Sequence, residues 1–109
     1  MNDSIREYLE KYPSEIVDMF FILRQLIFDR TSDDTLELMW AKIPSYYVSE
    51  RFIRLILFGD HINVEAKAIA DHKSELTSYK ITPKGMLQLF AGQDIPLDIL
   101  RRIFTETLL

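Results

Sequence analysis

Three carboxylates, Asp3, Glu7 and Glu10, fall at i, i+4 and i+7, so a helix over them presents all three on one face, and Glu15 and Asp18 follow at i, i+3. Oxygen donors in such sets suit hard cations and ferrous iron, so these five residues are the candidate metal ligands. An amphipathic helix also needs a solvated face, and acids near a helix N-terminus complement its dipole, so a purely structural reading stands beside the metal reading. His61, Asn63 and Glu65 alternate in a stretch that reads as a strand, which puts their side chains on one face with roots about 6–7 Å apart. At most two of them could share an ion; the other reading of His61 is a histidine packed on Phe58 and bonded to a neighbour. Lys80 and Lys84 flank Pro83, with Gly85 next to the second, while Lys42, Arg51 and Arg54 lie around the hairpin. If these cations converge they could hold an anionic ligand or an acidic partner segment; lysines near turns otherwise serve as solvated charge. His72, with Ile69 and Leu76 on its apolar side, reads as a satisfied, partly buried histidine. The chain has no cysteine and only three glycines, so thiolate chemistry and a phosphate-cradling loop are not expected. Neither histidine stands in a recognisable relation to a serine nucleophile, and no enzyme activity is expected.

The elements that would position these groups follow from periodicity. Ile5, Leu9 and Tyr12 recur at helical spacing up to Pro13, and a second, mostly buried helix runs from Ser14 to about Arg30 through Ile16, Phe20, Leu23 and Ile27. Ile22 falls on its polar stripe. The run Thr31-Ser32-Asp33-Asp34 ends that helix, and Leu36, Leu38 and Trp40 then alternate with Glu37, Met39 and Ala41 as a first strand over 35–41. Pro44 is expected to stop it, with a second short strand over 45–48 before a turn at Ser49-Glu50-Arg51. Gly59-Asp60 between two apolar runs predicts a type II′ hairpin turn. Counting outward pairs Phe58 with His61, Ile56 with Asn63 and Arg54 with Glu65 on one face, and Leu57 with Ile62 and Leu55 with Val64 on the other. The second of these faces is wholly apolar and belongs to the core; the first, with its charge pair, should be partly wet. A helix is predicted over 66–78, a strand over 86–91, and a last helix from Pro96 to the C-terminus with Leu100, Ile103, Phe104 and Leu108 inward.

A length of 109 residues predicts one domain, 1–109, and a composition 48% hydrophobic and 28% charged is that of a chain that folds alone. Residues 1–37 hold nine acids and four bases, and residues 38–109 hold eight acids and nine bases, so the net charge of −4 is carried by the N-terminal part. Nucleic-acid binding is disfavoured on that ground. No basic, apolar leader and no membrane-spanning stretch is read, and a cytoplasmic location is expected. The fold class predicted is α+β: an antiparallel sheet of about five strands with helices packed on one face.

Several local patterns in order along nearly the whole chain resemble the YdhG-like family. They are the Pro44 turn after an aromatic-bearing strand, the apolar run into Phe58-Gly59-Asp60-His61-Ile62, Tyr79-Lys80 followed by Lys84-Gly85, and Asp94-Ile95-Pro96-Leu97 before Arg101-Arg102-Ile103. The chain departs from that family's pattern at Ile43-Pro44 and at Asn63, where relatives carry a methionine before the proline and a glycine. The resemblance implies a frataxin-like sandwich. It also implies a non-enzymatic role in weak intracellular iron binding and delivery to an iron–sulfur assembly protein, with no required cofactor and iron as the cargo. The residues themselves leave open a second class: a ligand- or protein-binding module using the polar hairpin face, with Arg54, His61, Asn63, Lys80 and Lys84 as its candidate site. As to assembly, a monomer or a weak homodimer is expected.

Overall fold

Alternating apolar residues on either side of Gly59-Asp60 pair as counting from a two-residue turn requires. In the computed structural model, which describes residues 1–30 and 34–109, strands Arg51–Leu57 (β3) and His61–Ala66 (β4) are antiparallel with Arg54 opposite Glu65, Leu55 opposite Val64, Ile56 opposite Asn63 and Leu57 opposite Ile62. The Phe58 amide donates to the His61 carbonyl at 2.9 Å and closes the turn. The turn is not type II′, since neither Gly59 nor Asp60 takes a positive φ. Loop length fixes the register, because side chains alternate with period two whatever the turn's dihedrals. A Cβ at Gly59 would meet nothing within 4 Å. Gly59→Ala should therefore stabilise the protein slightly, by about 0.5 kcal/mol through the unfolded chain, while Gly92→Ala, at a φ of +87°, should destabilise it by roughly 1 kcal/mol in a parallel denaturant series. Equal effects at the two positions would refute the backbone assignment.

Strand β1 is Leu36–Trp40, β2 is Ile43–Val48, β5 is Lys80–Ile81 and β6 is Leu87–Phe90. Among the described residues the sheet has six strands, all antiparallel, in the order β1-β2-β3-β4-β6-β5, in keeping with the about five expected. At two residues, β5 is too short to leave a periodic signal. Pro44 does not end the first strand: it lies inside β2, opposite Met39, and the reversal occurs at Ala41-Lys42, both at positive φ (47° and 66°). In this register Trp40 and Ile43 form the hydrogen-bonded pair that flanks the turn, so the amide position of residue 44 points toward β3. The β2–β3 ladder stops at Ser45 opposite Arg54, where the missing proline N–H would have been the next donor. On β3 the Leu57 amide, pointing toward the same side, donates to the Tyr8 hydroxyl at 3.0 Å instead.

Helices Asp3–Leu9 (α1), Ser14–Arg30 (α2) and Leu97–Leu108 (α3) contribute Ile5, Ile16, Phe20, Leu23, Ile27, Leu100, Ile103 and Phe104 to one buried cluster with Leu55, Ile62, Val64, Leu87 and Leu89 of the sheet. The segment read as a helix over 66–78 is a 3-10 helix, Lys67–Glu75, kinked at His72. Its buried Ile69 and His72 are three residues apart, the period at which 3-10 side chains eclipse. Asn2 caps α1, its Oδ1 accepting from the Ile5 amide at 2.9 Å. Among the described residues no helix is long and apolar enough to cross a membrane. The polar break at Thr31-Ser32-Asp33 lies outside the described residues.

Strand β1 has the opposite sense to the one hydropathy suggests. Leu36 (61% exposed) and Trp40 (48%) lie on the sheet face away from the helices, while Glu37 turns toward them. Arg24 of α2 explains the inversion: its Nε and Nη2 reach the Glu37 carboxylate at 2.5 and 3.0 Å. The fully buried Tyr46 hydroxyl stands beside this pair without a hydrogen bond of standard geometry. Burial pulls the Glu37 carboxyl up, but the fork from Arg24 and the neighbouring phenol outweigh it and hold the group below its ordinary value, while burial and the carboxylate push the Tyr46 phenol well up.

Candidate functional site

Side chains at alternate positions of β3 and β4 rise on the face that the helices leave uncovered. Arg54 stands at its centre, 8% exposed, with its guanidinium carbon 3.8 Å from the Trp40 ring centroid and 3.7 Å from that of Phe52. Nη2 donates to the Tyr47 hydroxyl at 2.9 Å and Nη1 lies 3.5 Å from Glu65, but Nε has no partner among the described residues. Two flanking rings favour a cation electrostatically and shield it from water. Next to it, Asn63 donates to the Met86 sulfur at 3.9 Å and leaves its Oδ1 unpartnered, also buried. Among the described residues this face thus holds one unsatisfied donor and one unsatisfied acceptor, each costly to bury.

His61 packs flat on Phe58, with ring centroids 4.4 Å apart at 9°, and Phe90 lies on from it at 4.9 Å. Its Nδ1 is 2.7 Å from Asp60 Oδ1. The packed and bonded reading of His61 is the one realised. Lys80, on edge strand β5, has its Nζ 5.9 Å from the Phe90 ring, so it belongs to this end of the face.

Lys84 goes elsewhere. At the opposite end of the sheet, where β3 begins and β4 ends, a cleft of about 560 Å³ is lined by Arg51, Lys67 and Lys84 together with Glu50, Glu65 and the apolar surface of Phe52, Ala66 and Ala70. The cleft draws on the β2–β3 turn, both central strands, the 3-10 segment, the turn before β6 and, through Thr107, the end of α3. Arg51, Lys67 and Lys84 make no ion pair among the described residues, whereas Glu65 is already matched by Arg54. Among the described residues, three cations without an ion pair, Arg51, Lys67 and Lys84, thus line one concavity, with Glu50 as its unpaired acid. Phe52 and Glu65 form part of its wall and also touch Arg54, so the cleft and the aromatic face are continuous.

Of the five predicted ligand-binding residues, Arg54, His61, Asn63 and Lys80 share the uncovered face and Lys84 lies in the cleft. Arg51, weighed only as a member of a cationic set, is a cleft residue; Lys42 does not line it. Lys67 was missed, and so was Trp40's stacking role, because each acts through residues far away in sequence. The five predicted metal residues, Asp3, Glu7, Glu10, Glu15 and Asp18, are all exposed on α1, at its C-terminal cap and on α2. Asp3 lies 3.9 Å from Arg6. Among the described residues no three histidine, aspartate or glutamate side chains converge to hold a metal ion.

His72 is buried between two carboxylates, Nδ1 at 2.7 Å from Glu75 and Nε2 at 2.9 Å from Glu106, and Arg102 reaches Glu75 at 2.6 Å. The bond to Glu106, then that to Glu75, lifts the imidazole above its ordinary 6.5. Its contribution to stability is present in full below pH 6.5 and is lost as pH rises through the folded value. Glu37 acts in the other direction: its depressed carboxyl contributes above 4.5 and loses that contribution as pH falls through the folded value. Thermal melts should show highest stability between these two limits and a decline on the alkaline side that His72→Gln flattens. An alkaline decline unchanged in that variant would show that another group causes it.

No family model, no curated protein and no solved structure matches this chain. Fold and site together define an α+β domain with one helix-covered sheet face, one uncovered aromatic face and a cationic cleft at the sheet's end.

Proposed function

We propose that the chain is a non-enzymatic binding module for a small organic anion with an apolar body, seated in the cleft between Arg51, Lys67 and Lys84. The observation that carries this reading is the convergence of those three cations, unpaired among the described residues, on an apolar-floored cleft of about 560 Å³, a size usual for small-molecule sites. Phe52, Ala66 and Ala70 supply the floor for the apolar part, and the arginine's planar fork beside two point charges suits a carboxylate or phosphate head. Arg54 stands behind Glu65 and offsets its charge, so the wall repels an anion less. A binding rather than catalytic role agrees with the histidines, whose side-chain hydrogen bonds all run to carboxylates. Among the described residues no comparable convergence of ligands stands behind the iron-delivery role that the YdhG-like resemblance implies.

The experiment is an NMR titration of the protein with phenyl phosphate, 2-naphthoate and inorganic phosphate, followed through backbone amides. Amides of Arg51, Phe52, Lys67, Lys84 and Gly85 should shift with a Kd between about 1 µM and 1 mM for at least one of the two aromatic anions, which should bind more tightly than inorganic phosphate. Lys67→Glu with Lys84→Glu should weaken that affinity by about 100-fold, given roughly 1.5 kcal/mol for each charge-assisted contact. Shifts confined to other residues, or no shift up to about 10 mM, a range at which affinity is negligible, would remove the proposal.

A further inference from the structure

The two edges of the sheet are unequal. Strand β5 is two residues long and carries Lys80, a short and charged edge that discourages pairing. Strand β1 runs over five residues and has no lysine or proline. Its register with β2 turns the backbone groups of Leu36, Leu38 and Trp40 inward, so those of Glu37 and Met39 point outward from the sheet. They have no backbone partner among the described residues.

We infer that this chain forms a weak two-fold dimer by antiparallel pairing of β1 with β1 of a second copy, centred on Leu38. The occupant is argued from self-complementarity. With Leu38 facing its own copy, Glu37 exchanges both backbone bonds with Met39 of the second chain, which satisfies all four outward groups of each strand. On the uncovered face, exposed Leu36 of each copy then meets exposed Trp40 of the other, an aliphatic–aromatic cross-strand pair, on both sides of the central leucines. The strand's one charge, Glu37, is neutralised by Arg24 of its own chain and lies opposite Met39 rather than another acid. A strand of this length buries less than a standard interface, which places the Kd in the range of roughly 10–100 µM.

Sedimentation equilibrium from about 5 to 500 µM should show the mass rising from 12.9 kDa toward twice that value, and Leu36→Lys should keep it at 12.9 kDa with an unchanged circular dichroism spectrum. Because the chain has no cysteine, single replacements report contacts cleanly. The central pair is non-hydrogen-bonded, with Cα atoms about 4.5 Å apart and within disulfide reach, so Leu38→Cys should cross-link readily under mild oxidation. Leu36→Cys, roughly 14 Å from its counterpart, should cross-link at least about tenfold more slowly. Exposed Phe21 and Ile22 on α2 provide the rival surface. A chain that stays monomeric throughout, cross-links equally at both positions, or is dissociated by Ile22→Lys and not by Leu36→Lys would overturn the dimer.

Discussion

Glu37→Ala is expected to cost about 3 kcal/mol of stability, read as a shift in the urea midpoint at constant slope. The carboxylate is only 10% exposed and the Arg24 side chain 25%, so this ion pair is not a solvent-screened surface contact. Removing the acid strands a guanidinium against the core with the Tyr46 hydroxyl beside it, and the cost of the unmatched charge exceeds the modest net value of the pair. Two companion variants separate these effects. Arg24→Met alone should be about as harmful, because it leaves the carboxylate unmatched, and it should reverse the pH response by pushing that carboxyl up instead of down. Arg24→Met with Glu37→Leu should return to within about 1 kcal/mol of the parent, since an apolar pair removes both desolvation costs. A single Glu37→Ala variant within about 0.5 kcal/mol of the parent would mean that the pair behaves as a surface contact.

Tyr8→Phe is expected to cost about 2 kcal/mol while leaving the ring packing in place. Pro44 ends the β2–β3 ladder, and the Leu57 amide beyond that end has the Tyr8 hydroxyl as its acceptor, with Leu57 itself 3% exposed. Burial is the main reason the phenol is pushed far up from its ordinary value, so the hydroxyl stays protonated and serves as acceptor across the working pH range. Deleting one oxygen leaves a buried donor unmatched. Hydrogen exchange at the Leu57 amide should accelerate by tenfold or more, about 1.4 kcal/mol of lost local protection, ahead of any change at Leu55. Unchanged exchange at Leu57 would show that the amide finds another acceptor. The result matters beyond α1, because this bond joins the N-terminal helix to the central strand that carries Arg54, beside the packing of Ile5 and Leu9 in the shared core.

Much of the hairpin was legible in the sequence. The pairing of Arg54 with Glu65 and of Leu55 with Val64 followed from a two-residue loop and a period of two, both local properties of the backbone, and so did the division of β3 and β4 into an apolar and a mixed face. The turn type was not legible, since Gly59 permits a positive φ without requiring it. Pro44 misled for a related reason. Its missing N–H forbids one hydrogen bond, but only the register decides that the gap faces β3 and not β1.

By itself the sequence determined the three α-helices, the central register, the outward side of Ile22 and the set of charged residues available for binding, all of which depend on neighbours within a few positions. Tertiary structure alone decided that Glu37 turns inward to Arg24, that Trp40 and Phe52 enclose Arg54, that Lys80 and Lys84 part company, and that Lys67 joins Arg51 and Lys84 around one cleft. Local periodicity says which side of its own element a residue occupies. Which residues from distant elements meet there is set by how the sheet, the 3-10 segment and the C-terminal helix pack, and no local spacing encodes that.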